Sequence, residues 1–242
     1  MKYLKYNIVI FIFIFCVMLF MKFLNYKETY SNKTKIIFKY PTWLNGQILT
    51  SDIFPLKKYK FYNSELYGPH NVDKLLKFYS KKGDAMKYAN RKYGPQKGKP
   101  FRLTTETYKP ANITNTNYKG KMCTQYTKRC NFYEASNYYT PPCCASNLNE
   151  MIIYLHKLLI KHNIQYFIYW GTLLGSIRHG GIIPWDTDID IYINEKDKSK
   201  LLKLKSFIEK DTHYILEVQN TIRLNFSKTN TQHIDLFLYK IE

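Results

Sequence analysis

Apolar residues follow three patterns along the chain, and each predicts a different kind of element. From Tyr6 to Leu24 they form a run of 19 residues interrupted only by Asn7 and Lys22. That is close to the roughly 20 residues needed to cross a bilayer as a helix. A cleaved signal peptide would have a shorter apolar core and small residues at a cleavage site. Here the run ends in MKFLNYKETY, which favours an uncleaved signal anchor. The second pattern has helical spacing. Leu148, Met151, Ile152, Leu155, Leu158 and Leu159 recur at i, i+3, i+4, i+7, i+10 and i+11, with Ser146 placed to cap the helix. The third is that of strands. QYFIYW reads as a buried strand running into Gly171, DTDIDIYI alternates strictly, and TIRLNF and HIDLFLY supply two more.

Residues 25 to 120 hold no sustained period of either kind, apart from a helix around Val72 to Ser80. This predicts a stem holding a carboxy-terminal domain away from the membrane. With 242 residues and 45% hydrophobic content, the chain suffices for one globular domain with a core. The predicted division is 1–24 as cytoplasmic tip and transmembrane anchor, 25–120 as stem, and 121–242 as the catalytic domain. Its fold class is α+β, a mixed sheet flanked by helices.

Charge refines this division. The net +19 alone would suggest a nucleic-acid or anionic-membrane partner. Residues 1–120, however, hold 22 basic and 6 acidic side chains, against 15 and 12 in residues 121–242. The excess therefore lies away from the motif-bearing half, and with the anchor it argues against a nucleic-acid partner. Sequons at Asn32, Asn112 and Asn225 fit a lumenal body, with glycans expected first at Asn32 and Asn112.

Two constellations carry chemistry. Cys123, Cys130, Cys143 and Cys144 lie within 22 residues. Two disulfides crossing from the first pair to the second, or one four-thiolate zinc site, would each close this loop. The spacing leaves both open. The second constellation is WGTLLGSIRHGGIIPWDTDIDIYI. Gly171 and Thr172 at a strand end, opening a helix, present N–H groups and a hydroxyl suited to phosphate. Alternation places Asp186, Asp188 and Asp190 on one strand face, and Asp235 in HIDLFLY is expected to share that face if the two strands are neighbours. Clustered carboxylates repel one another unless a cation neutralises them, and Mg²⁺ or Mn²⁺ suits such oxygen donors.

The stretch GTLLGSIRHGGIIPWDTDIDI, together with HIDLFLY and the cysteines ending in PPCC, resembles the LicD/fukutin family, especially its fukutin-related members. The resemblance covers roughly Met122 to Tyr239. It implies a nucleotidyltransferase fold in a Golgi or ER membrane protein of type II topology, with a lumenal catalytic domain. The implied activity is transfer of a phosphorylated polyol, such as ribitol 5-phosphate, from a CDP-linked donor to a glycan or glycoprotein hydroxyl. Bacterial relatives transfer phosphocholine instead. The same resemblance implies that Asp188 and Asp190 are metal ligands, that Asp235 is base or third ligand, and that Asp186 supports them. Gly171, Thr172 and Gly175 would shape a phosphate loop, and Arg178 would pair with a phosphate. Arg223 would reach the nucleotide. His179 serves the fold, and the four cysteines bind zinc. Assembly of several copies is compatible with this reading. The sequence ends at Glu242, where family members continue, so acceptor-side structure is expected to be incomplete in it.

Overall fold

The computed structural model describes residues 34–39, 48–79, 84–90, 100–115, 117–118, 121–129, 139–219 and 221–242. The expected span Tyr6–Leu24, the sequon at Asn32 and Cys130 lie outside them. Among the described residues no helix is long and apolar enough to cross a membrane.

From the amino-terminal side come β1 (Ile36–Phe38), the one-turn helix α1 (Thr50–Ile53), a hairpin of β2 (Lys57–Phe61) and β3 (Ser64–Gly68), and α2 (Val72–Tyr79). Two small hairpins follow, β4 (Tyr88–Asn90) with β5 (Pro100–Arg102) and β6 (Asn117–Tyr118) with β7 (Lys121–Met122). Then come α3 (Pro142–Lys161), β8 (Tyr166–Ile168), α4 (Trp170–His179) and β9 (Ile189–Asn194). The chain continues through α5 (Lys198–Lys203), α6 (Lys205–Asp211), β10 (Ile215–Val218), β11 (Ile222–Asn225) and β12 (His233–Ile241).

The expected α+β class holds, with a mixed sheet in the order β10-β11-β12-β9-β8. Its central pair, β12 and β9, is parallel, and the other pairs are antiparallel. Strand β12 is long enough to share one edge between two partners. Its first half pairs with β11 up to Leu236, and its last three residues pair with β1. The predicted apolar stripe of α3 is wholly buried. The helix starts one turn earlier than Ser146 would set it. Pro142 at its first position has no N–H to leave unpaired and a φ already suited to a helix. Cys143 and Cys144 thus fall in the first turn.

The stem expected over 25–120 requires correction, because its described part belongs to the domain. Ile36, Phe38, Ile48, Ile53, Phe54, Phe61, Leu66 and Leu75 all lie in the same buried core as the α3 stripe. The Phe38 ring sits edge-on to Tyr192 of β9, with centroids 4.8 Å apart. Each such side chain taken from water contributes about 1.5–3 kcal/mol. The segment lacked a visible period because it delivers one or two apolar residues from each of several short pieces, whereas periodicity needs a longer window.

Tyr62, at the tip of the β2–β3 hairpin, ties this segment to the turn after α4. Its backbone N–H donates to Gly180 O at 2.6 Å, its hydroxyl donates to Ala111 O at 2.8 Å, and that hydroxyl accepts from Ile182 N–H at 3.2 Å. The Tyr62 ring fills the space beside Gly181, so that a Cβ there would lie 2.6 Å from it. Elsewhere on the surface, Asn112 is exposed, whereas Asn225 is buried and its amide donates to Glu217.

Candidate active site

Strand register builds the site. Asp190 in β9 stands level with Asp235 in β12, and Arg223 in β11 stands level with Asp235 on its other side. Paired residues of neighbouring strands face the same way, and so do residues two apart in one extended chain. Asp188 and His233, each two residues earlier, therefore join the same face. Asp186 and Asp188 are not within the strand, as the alternation suggested, but in the extended lead-in that follows Pro184. One donor atom each from Asp188, His233 and Asp235 lies within 4.8 Å of the others. His233 and Asp235 are buried and Asp188 is half-buried. Asp190 shares the face, one strand spacing from Asp235, but is not among this close group.

Two oxygens and one imidazole nitrogen at such separation form a donor set that fits Mg²⁺ or Mn²⁺ with coordination positions to spare. The imidazole is held between neighbours: Thr231 O lies 3.0 Å and Arg129 Nη1 3.5 Å from His233 Nδ1, and Nε2 lies 3.6 Å from Asp235 Oδ2. Burial works to raise the Asp235 pKa, but His233 and the Arg223 guanidinium, whose Nε donates to Oδ1 at 2.7 Å, outweigh it. The carboxyl is held below its ordinary range and stays an anion at neutral pH.

The acidic segment is fixed from several sides. Thr140 Oγ1 donates to Asp186 O, and Thr187 N–H donates to Asp186 Oδ1 at 3.2 Å. Asp190 N–H donates to Thr172 Oγ1 at 2.8 Å, and Tyr169 N–H donates to Asp190 O. Thr172 is buried and its hydroxyl ties α4 to β9, so it serves the site through the backbone of Asp190 rather than as part of an open phosphate loop. Gly171 allows α4 to lie against Asp186, whose Oδ2 occupies the place a Cβ would take. Gly175 allows the approach of Gly181 O, 2.5 Å from a hypothetical Cβ.

Arg178 is placed differently from the phosphate contact expected of it. Its buried Nη1 donates to Ala85 O at 2.7 Å and to Tyr88 O at 3.3 Å, so the guanidinium binds α4 to the amino-terminal segment. The last turn of α4 faces that segment, which the sequence reading had placed outside the domain. His179 has the fold role expected. Its Nε2–H donates to Thr107 O at 3.0 Å, and its Nδ1 accepts from Arg178 Nε at 3.3 Å. Burial, then the charge of Arg178, depress its pKa to about 4. Because the folded value lies below the unfolded one of about 6.5, the unfolded chain binds the proton first. The stability this neutral imidazole brings is complete above pH 6.5 and is lost as pH falls towards 4, an effect of about 3 kcal/mol. Urea unfolding at pH 7 and pH 4.5 should show this loss in the wild type and a smaller one in His179→Gln.

Sequence reasoning missed His233, Gln232 and Arg129. His233 sits at i−2 from Asp235 in the alternating motif, a signal that was available. Gln232 donates to Thr187 O at 3.4 Å. Arg129 comes from the cysteine loop, and no local pattern pointed to it. In that loop the Cys123 and Cys143 sulfurs are joined, S–S 2.01 Å, and Cys144 Sγ lies 3.6 Å from Cys123 Sγ. The disulfide uses two thiols that a four-thiolate zinc site would need as ligands, and three sulfur positions converge within 4.8 Å.

Comparison with known proteins bears on the same segment. Residues 163–242 match the family model of the LicD/FKTN/FKRP nucleotidyltransferase domain. Human ribitol 5-phosphate transferase FKRP is 32% identical over 106 residues, 41% of this chain and 21% of the relative. The lipopolysaccharide cholinephosphotransferase LicD of Haemophilus influenzae is 36% identical over 78 residues, 32% of this chain and 29% of the relative. The chain thus spans less than a third of the length of these curated relatives, both of which are transferases of phosphate-containing groups.

Proposed function

We propose, from the match of residues 163–242 to the LicD/FKTN/FKRP nucleotidyltransferase domain model, that the protein is a metal-dependent phosphotransferase moving a phosphorylated polyol from a CDP-linked donor to a glycan hydroxyl. The observation that carries this reading is the convergence of Asp188, His233 and Asp235 at the start of two parallel strands. These three would hold Mg²⁺ or Mn²⁺, which when bound supplies positive charge against the donor phosphates. Asp190, on the same face, accepts the proton of the acceptor hydroxyl. That oxygen attacks the cargo-bearing phosphorus, the bond from that phosphorus to the bridging oxygen breaks, and CMP leaves. Arg223 keeps Asp235 ionised and oriented. The proposed setting is a Golgi or ER membrane, with Tyr6–Leu24 as anchor and the body in the lumen.

Phosphocholine is the second cargo to consider, since the bacterial relative is named for it. The deciding experiment is CMP release by the purified full chain in detergent from CDP-ribitol and from CDP-choline, with Mg²⁺ or Mn²⁺ and a phosphorylated glycan acceptor. Metal-dependent release from CDP-ribitol, absent in Asp188→Ala, supports the proposal. Release from CDP-choline alone moves it to the second cargo, and release by Asp188→Ala equal to wild type rejects this site.

A further inference from the structure

We propose that Arg129, carried by the cysteine loop, is the guanidinium that binds the donor's diphosphate at the carboxylate site. This inference rests on the transferase reading given above. Three arginines come close enough to be considered, and two have fixed partners. Arg178 is turned to the Ala85 and Tyr88 carbonyls, and Arg223 is paired with Asp235. Arg129 Nη2 donates to Thr187 O at 3.3 Å, and Nη1 approaches His233 Nδ1 at 3.5 Å. Both contacts are long, so at most two of the five guanidinium N–H groups are engaged, and no carboxylate lies within ion-pair distance among the described residues.

Its position is nonetheless built. Residues 123–125, at the start of its loop, are pinned to the body of the domain. Asn147 of α3 donates to Cys123 O at 3.0 Å, and Ser227 Oγ donates to Gln125 O at 2.5 Å. Asn230, buried in the turn before β12, donates to Thr124 O at 3.3 Å. The link from Cys123 to Cys143 holds the loop to the first turn of α3. A half-buried cation with spare donors, held in this way beside Thr187 and His233, borders the place where metal-bound phosphate oxygens would lie. Guanidinium geometry matches two oxygens of one phosphate or of adjacent phosphates.

The test uses the full chain and reads binding as well as turnover. With Mn²⁺ present, calorimetry should show Arg129→Ala binding CDP ~10–100-fold more weakly than wild type, as loss of a charge-assisted hydrogen bond predicts, and cytidine unchanged. Arg129→Lys should recover part of the CDP affinity. In turnover, KM for the CDP-linked donor should rise more than kcat falls, with the melting temperature within 2 °C of wild type (roughly the shift of a small surface change). Equal CDP affinity in Arg129→Ala and wild type overturns the assignment, and so does equal weakening of CDP and cytidine. Wild-type protein that binds CDP through Arg129 but releases no CMP from either donor leaves the assignment standing and removes the transferase reading instead.

Discussion

A fragment comprising residues 121–242, the whole of the expected catalytic domain, should fail to fold. It keeps β8 through β12 and α3 but loses β1 from the edge of β12 and uncovers one side of the core. Ile36, Phe38, Ile53, Phe54, Phe61 and Leu66, all buried, leave with the amino-terminal segment. At about 1.5–3 kcal/mol for each side chain, their loss matches or exceeds the 5–15 kcal/mol by which a domain is usually stable. The turn after α4 also loses Tyr62, and Arg178 is left buried among lost carbonyl partners. Thermal melts followed by near-ultraviolet circular dichroism should show no cooperative transition for 121–242, whereas residues 34–242, which retain every described contact, should melt cooperatively. A sharp transition in the short fragment would mean that the segment is a dispensable cover.

Gly171→Ala should separate activity from stability. The new methyl group meets Asp186 Oδ2, and the carboxylate has to move. That carboxylate accepts from Thr187 N–H, and Thr187 O in turn accepts from Arg129 and Gln232. A displacement of Asp186 therefore reaches the residue directly before Asp188. Misplacement by about 1 Å in an active site lowers rates by ~10²-fold, which is the fall in transfer rate expected here. Stability should change little, because alanine is better than glycine in a helix by about 1 kcal/mol, which offsets the strain. Initial rates of CMP release beside melting temperatures check both halves. An unchanged rate would show that Asp186 does not position the site.

What could be read from the sequence was what is local. The helix over Leu148–Leu159, the strand in QYFIYW and the alternation leading into β9 each declare themselves within a dozen residues, and each is present. The shared face of Asp190 and Asp235 followed from alternation once the two strands were taken as neighbours. The pairing of β1 with β12 joins segments about two hundred residues apart by three backbone pairs, and nothing in IIF specifies its partner. The same distance hid Arg129, whose loop begins at residues held by Asn147, Ser227 and Asn230 and which meets Thr187 and His233 from far away in the chain. Arg178 was misplaced for a related reason. Its proximity in sequence to the aspartates said nothing about a neighbour that comes from Ala85 and Tyr88.

The carboxylates stand where β9 and β12 begin, not where they end. What enters these two strands is therefore committed: the Pro184–Thr187 lead-in and the Asn230–Gln232 turn both take part in holding the site. What leaves β9 is under no such constraint, and the excursion through α5 and α6 lies at the opposite end of the strand. An insertion there, a fused tag or a grafted recognition loop could extend the protein's reach without disturbing the chemistry, so that tailoring for a new acceptor and preservation of the reaction can proceed at opposite ends of the same strand.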